Sequence, residues 1–389
     1  MLLCLLSKRF CCSCRGVCPP AFTVYFFSSS LCFSSSPFRT MSQVVKPRRV
    51  GIIGNGHVGS HVGYSLAIQG IADEIFFADC NAAMARSQAI DIQDAVTYMP
   101  HRVHIVPCGV ADLTGCDAIV LSAGPLPDGN ESRLSTLPRT MAVVVDVVAT
   151  LKEHVMPTFT GVLICISNPA DVVASYVQKA LNLPPKRVIC TGTCLDSARL
   201  QALLHRELHG NVSPASMQSA MMLGEHGDSC IVSWSNVRVG NKSLTQLQKE
   251  NPARYPSFDR DAIQEEVHRR GYHVLLGKGS TEFGIGTAAA TIIKSVFHND
   301  QRVLPCSVYL DGEYGEKGLF ASVPAVIGAN GVEDIIELEL TPEEKAGFHH
   351  SCDVIRSFIQ KALDAHPLCR RVLFLDICRS TIHLSVCSY

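Results

Sequence analysis

Val50-Gly51-Ile52-Ile53-Gly54-Asn55-Gly56-His57-Val58-Gly59 is an apolar run that ends in three spaced glycines, and a helix-type pattern carrying Val62, Leu66 and Ala67 follows it. The order is strand, tight turn, helix. Gly54 allows the turn, Gly56 lets the backbone approach a pyrophosphate, and Gly59 lets the helix pack on the strand. A phosphate would then face the unpaired N–H groups of a helix N-terminus, with His57 and Val58 in the turn itself. Alone, this spacing is weak, because a glycine-rich turn with no ligand also fits it. A second apolar run, Glu74–Ala78, ends at Asp79, about 20 residues on, where an acid binds adenosine ribose hydroxyls. An acid there repels a 2′-phosphate, so NAD is expected rather than NADP.

The same text continues outward. Apolar runs at Arg49–Ile53, Glu74–Ala78, Ala118–Ser122, Val162–Ser167 and Arg187–Thr191 alternate with helix-type segments. Continuous apolar strands separated by helices predict a parallel sheet covered on both faces. From Asp196 the pattern changes. Helices are predicted at Ser197–Leu208, Asp261–Leu276 and Thr287–Val296, with an alternating strand at Val303–Leu310. Thr341-Pro342-Glu343-Glu344 reads as a helix start, and that helix runs to about Asp364. The expected fold is α/β: a doubly wound parallel sheet over residues 48–195, then an α+β substrate domain over 196–365. Residues 1–47 form a leader, and 366–389 a tail with no assigned role.

Bulk properties exclude several classes. The 389-residue chain carries a net charge of −1, so no broad field draws it to nucleic acid or to an anionic membrane. No apolar run reaches the roughly 20 residues that span a bilayer. Residues 1–40 hold no Asp or Glu but include Lys8, Arg9, Arg15, Arg39 and several serines, which resembles a mitochondrial transit peptide. A start at Met41, with the leader an artefact of the gene model, fits equally. The core is expected in the cytoplasm, with the mitochondrion as the alternative. Of 18 cysteines, those beyond the leader sit mostly in apolar segments and read as small buried residues rather than a disulfide framework. Cys11 and Cys14 have metal-ligand spacing, but no second pair follows, and no metal is expected.

Three segments place polar residues where a core needs none. Ser167-Asn168-Pro169 follows the Val162–Ile166 run, at the strand end where such sheets bind ligands. Asp196 and Arg199 are three apart at a helix start, hence on one side of it. His226 stands between glycines in Leu223-Gly224-Glu225-His226-Gly227-Asp228-Ser229. Reducing a 2-oxo acid takes a hydride from a nicotinamide and a proton from an acid. Histidine exchanges protons near neutrality, a carboxylate behind it selects its tautomer, and arginine clamps a substrate carboxylate. Each feature alone has a plainer reading: a structural histidine, a helix cap with a surface ion pair, an Asn-Pro turn. Together, downstream of a dinucleotide motif, they point to catalysis.

These segments, with Gly70-Ile71-Ala72-Asp73-Glu74-Ile75, Ile90-Asp91-Ile92-Gln93-Asp94-Ala95, Gly192-Thr193-Cys194-Leu195-Asp196-Ser197-Ala198-Arg199 and Pro324-Ala325-Val326-Ile327-Gly328, give residues 48–362 a resemblance to the L-lactate/malate dehydrogenase family. Gly271-Tyr272-His273-Val274-Leu275, Gly277-Lys278-Gly279 and Trp234-Ser235-Asn236-Val237-Arg238-Val239 resemble its L-lactate and L-2-hydroxyisocaproate branch. The resemblance implies a Rossmann-like NAD domain, with Ala123 and Gly124 beside the cofactor, and a homodimer or homotetramer. His226 is then the proton donor, Asp196 its orienting acid and Arg199 the carboxylate clamp. Arg133 is the loop cation that polarises the ketone. Asn168 hydrogen-bonds near substrate and nicotinamide ribose, and Thr281 lines the substrate pocket. The sequence departs from the family at Pro127, where lactate enzymes usually carry Gln and malate enzymes Arg. Without a cation there, oxaloacetate is disfavoured and an apolar 2-oxo acid is admitted beside pyruvate. Leu126 also replaces a common arginine near the cofactor phosphates. Malate chemistry, or a weakly catalytic NAD-binding relative, remains as the alternative.

Overall fold

Apolar runs too short to be anything but strands, each followed by a helix, can bury both faces only as a covered sheet. A computed structural model describes residues 46–125 and 136–365. Its first part runs β1 (Arg49–Ile53), α1 (His57–Ile68), β2 (Glu74–Ala78), α2 (Ala82–Val96), β3 (His104–Cys108), β4 (Ala118–Leu121), α3 (Leu137–Thr150), β5 (Val162–Cys165), α4 (Ala170–Ala180), β6 (Val188–Cys190) and α5 (Cys194–Glu207). Then come the short strands β7 (Met222–Leu223), β8 (Ile231–Val232), β9 (Arg238–Val239) and β10 (Lys242–Ser243), and helices α6 (Leu244–Glu250), α7 (Arg260–Lys278) and α8 (Phe283–His298). The strands β11 (Arg302–Asp311), β12 (Lys317–Gly328) and β13 (Gly331–Ile335) lead into α9 (Pro342–Ala365).

The sheet has nine strands in the order β13-β12-β11-β6-β5-β4-β1-β2-β3. From β3 to β6 all neighbours are parallel. The last three strands extend the sheet antiparallel, joined where Ser307 of β11 meets Cys190 of β6. The α+β segment therefore completes the sheet that the first segment begins. Alternate strand residues feed opposite faces. Val50, Ile52, Val120 and Ile164 pack under α1, α2 and α8, through Val62, Leu66, Ile92 and Ile292. Ile53, Ile119, Leu121 and Leu163 pack under α3 and α4, through Met141, Val144, Val173 and Val177. A third cluster joins Leu200, Leu203 and Leu204 of α5 to Ile263 and Val267 of α7.

Two differences from the sequence reading have physical causes. Strand β3 was not predicted, because only Ile105 of its five residues is buried and Pro107 interrupts it, as an edge strand permits. Helix α8 begins at Phe283 rather than Thr287, and its first turn carries Gly284 and Gly286. These glycines are contact points, not breakers. A Cβ on Gly286 would lie 2.8 Å from the His61 carbonyl oxygen of α1.

That contact predicts opposite signs for one substitution at two sites. Alanine for a helical glycine gains about 1 kcal/mol of helix propensity. At Gly277 in α7 nothing lies within 4 Å of the new Cβ, so Gly277→Ala should raise the urea midpoint. At Gly286 the clash with backbone costs about 1–3 kcal/mol, so Gly286→Ala should lower it. Equal shifts in one direction would remove the close α1–α8 contact from this account.

Candidate active site

The glycine turn is built as its spacing demands. Gly54 holds φ +88°, and a Cβ there would meet the Ala123 backbone at 2.7 Å. A Cβ on Gly59 would lie 1.8 Å from the Gly54 carbonyl oxygen, so the turn closes on itself before the helix packs on the strand. At Gly56, by contrast, nothing lies within 4 Å. Helix α1 starts there without a side-chain cap. This open, uncapped N-terminus fits a pyrophosphate. Asp79 follows β2, and its Oδ2 accepts the Asn55 N–H at 2.6 Å, tying the acid to the turn.

A cavity opens at the carboxyl ends of the parallel strands. Val58, Ala123, Gly124, Asn168, Arg199, His226 and Thr281 all line it. Gly54, Gly56, His57, Gly59 and Asp79 lie outside its lining, as does Asp196, which acts from behind. Asn168 Oδ1 is buried and finds no partner among the described residues, so a polar ligand group would satisfy it. Pro127 and Arg133, with Leu126, lie outside the described residues.

His226 and Asp196 meet at 2.7 Å through Nδ1 and Oδ2. A carboxylate can only accept, so Nδ1 carries the hydrogen and Nε2 is left to exchange a proton with a ligand. Both side chains are buried, 12% and 6% exposed, so water competes weakly for this bond. Arg199 Nη1 donates to the other Asp196 oxygen at 2.8 Å while its side chain also borders the cavity. Helix α5 begins at Cys194, three residues earlier than predicted, which sets Asp196 in its first turn. The Thr193 hydroxyl donates to the Met222 carbonyl, and the Met222 N–H donates to Ser197 Oγ, pinning this turn to the strand that leads to His226.

Several residues at the site escaped the sequence reading. Asp171 accepts the His226 N–H at 2.9 Å. Its position two residues after Pro169 reads as an ordinary helix-start acid, and nothing local announces a partner so far along the chain. Glu282, beside Thr281, links the cavity wall to the glycine turn. It lies 3.0 Å from His57 Nδ1 and accepts from Lys278 Nζ at 2.6 Å. Burial pushes its carboxyl up, but hydrogen bonds from Lys278 and Ser280 outweigh that and leave it below its ordinary value. Tyr272 and Leu275 of α7 line the cavity as well. The apolar spacing of α7 is too weak to say which side faces a ligand.

Residues 48–190 match the family model described as lactate/malate dehydrogenase, NAD binding domain, and residues 193–366 match the one described as lactate/malate dehydrogenase, alpha/beta C-terminal domain. The L-lactate dehydrogenase of Fusobacterium nucleatum subsp. nucleatum is 39% identical over 317 residues, covering 82% of this chain and 98% of that protein. The minor L-lactate dehydrogenase of Enterococcus mundtii, solved in a ligands-bound form, superposes with a TM-score of 0.76 at 31% identity, covering 81% of this chain and 98% of that one. The lactate dehydrogenase of Cryptosporidium parvum, solved with lactic acid and nicotinamide adenine dinucleotide, gives a TM-score of 0.75 at 26% identity, covering 82% and 98%. With both family models matched in order across the glycine turn and the His226 cavity, the chain belongs to the lactate/malate dehydrogenase family.

Proposed function

We propose that the chain reversibly reduces a small 2-oxo acid, pyruvate or a larger apolar one, to the L-2-hydroxy acid with NADH. The observation that carries this reading is the buried His226–Asp196 hydrogen bond facing a cavity beside the NAD turn. NADH, when bound, supplies the hydride. The turn of Gly54, Gly56, His57, Val58 and Gly59, with Asp79, holds the dinucleotide, and Ala123, Gly124 and Asn168 border its nicotinamide end. His226 gives its Nε2 proton to the oxygen formed at the ketone, and Asp196 stabilises the charged imidazole that this requires. Arg199 clamps the substrate carboxylate. Arg133 polarises the ketone as negative charge develops, Thr281 lines the pocket, and Pro127 removes the cation a second substrate carboxylate would need. In this division residues 48–195 hold the cofactor and 196–365 the substrate, with the cytoplasm as the site of action.

The chain is also proposed to form a homodimer or homotetramer. His61, Tyr64 and Ile68 share one side of α1 by their spacing. Tyr64 and Ile68 are exposed, and the exposed Phe283 ring meets His61 edge-on with centroids 4.9 Å apart. Exposed apolar side chains gathered in this way mark an association surface. Light scattering of wild type should give a dimer or tetramer and of Tyr64→Asp, Phe283→Asp a smaller species. A monomeric wild type would end this part of the proposal.

The activity is tested by following NADH absorbance with pyruvate, 2-oxoisocaproate and oxaloacetate in parallel. Turnover with the first two should exceed that with oxaloacetate. Replacing NADH by NADPH should weaken it, because Asp79 repels the 2′-phosphate. His226→Ala should cut kcat by about 100-fold to 10,000-fold. NADH binding without turnover on any of the three acids would contradict the proposal and favour a non-catalytic relative.

A further inference from the structure

We propose that Asp171 is a positioning residue for proton exchange at His226, holding the main chain of the histidine while Asp196 holds its ring, and adding a second buried negative charge that favours the protonated imidazole. The inference rests on His226 being the proton donor. An acid in the first turn of a helix ordinarily faces solvent and complements the helix dipole. Asp171 is instead 3% exposed, at the carboxyl end of β5, and its Oδ2 accepts the N–H of a residue 55 positions further on. A buried carboxylate is costly unless it is paired, so its placement needs a reason beyond helix formation.

The charged and titratable groups around it come from every neighbouring element. Glu225 lies on the histidine's own loop, Cys190 on β6 and Cys352 on α9. Asp196 and Arg199 of α5 meet each other, and Asp196 meets the ring. Both thiols are pushed up by burial and by nearby negative charge that includes Asp171, so they stay neutral. The Ser307 hydroxyl of β11 stands beside the carboxylate, yet among the described residues neither Asp171 Oδ1 nor Ser307 Oγ meets hydrogen-bond geometry. Among the described residues the His226 amide is therefore the hydrogen bond that holds this carboxylate. Burial pushes the Asp171 carboxyl up to about 6, while the dipole of the nearby Ser307 hydroxyl, the His226 amide and the His226 charge pull it down. Near neutrality the carboxylate is charged, and it attracts the positive charge that His226 carries when it holds the proton for transfer.

Raised above its ordinary 3.8, this carboxyl has the opposite sign to a salt-bridged acid. The folded state holds the proton more tightly than the unfolded state. Its contribution to stability is full below about pH 4 and declines as pH rises to about 6. Asparagine keeps an acceptor oxygen for the His226 N–H and removes the charge. Asp171→Asn should therefore melt no lower than wild type near neutral pH, which makes it a usable probe.

The experiment compares wild type, Asp171→Asn and Asp171→Ala in pyruvate reduction across pH, with NADH affinity by fluorescence and thermal melting alongside. In the direction of reduction, turnover falls as pH rises and the proton donor empties. Asp171→Asn should turn over, with that alkaline limb displaced by about one unit to lower pH. Asp171→Ala, which loses acceptor and charge together, should lose about 10-fold to 100-fold in kcat, with KM and NADH affinity nearly unchanged. An Asp171→Asn limb that coincides with wild type overturns the proposal, as does an Asp171→Ala loss confined to KM or to melting temperature. Should Asp171→Ala not fold, the position of the Asp171→Asn limb decides alone. An inactive wild type would overturn the dehydrogenase reading first, and this inference with it.

Discussion

The placement of one loop, from Leu223 to Gly227, is the constraint on which the site depends. Gly224 exchanges two backbone hydrogen bonds with Ser322 of β12, and the Glu225 N–H donates to Ser351 Oγ of α9. The His226 N–H donates to Asp171 of α4, and its ring to Asp196 of α5. Four elements thus hold three consecutive residues. A general acid must meet its substrate within hydrogen-bond reach, and a loop anchored at each residue loses little entropy in doing so.

Those anchors converge because of the sheet. Parallel strands β5 and β6 both deliver their following helices, α4 and α5, at the same edge. The antiparallel strands β11 and β12 then bring the later half of the chain against β6. Asp171 arrives from residues 48–195, and Asp196 and His226 from residues 196–365. The glycine turn after β1 opens at the same strand ends, and Val58 of its following helix shares the cavity lining with His226. Three buried polar atoms beside this cavity, Asn168 Oδ1, Asp171 Oδ1 and Ser307 Oγ, have no hydrogen-bond partner among the described residues.

Much of this was readable along the chain, for reasons that differ by residue. The parallel strands announced themselves because each is buried on both faces and must be apolar throughout. Gly54, Gly56 and Gly59 were legible because the turn excludes side chains at two of them and leaves the third open. His226, Asp196 and Arg199 were legible because they are polar residues at strand and helix ends. Edge strand β3 was not, since one buried residue in five leaves no pattern. Nor were Asp171 and Glu282, whose roles reside in contacts with residues distant in sequence. The early start of α8 was hidden because glycines in a first turn read as a break, when here they let two helices touch.

The central claim is that this cavity moves a hydride from the nicotinamide to C2 of a 2-oxo acid while His226 supplies the proton. The most direct measurement supplies NADH deuterated at both C4 positions of the nicotinamide together with pyruvate, and locates the label in the product. The account predicts deuterium on C2 of the L-2-hydroxy acid. Label absent from the acid while NADH is consumed, or found in the D enantiomer, would contradict it.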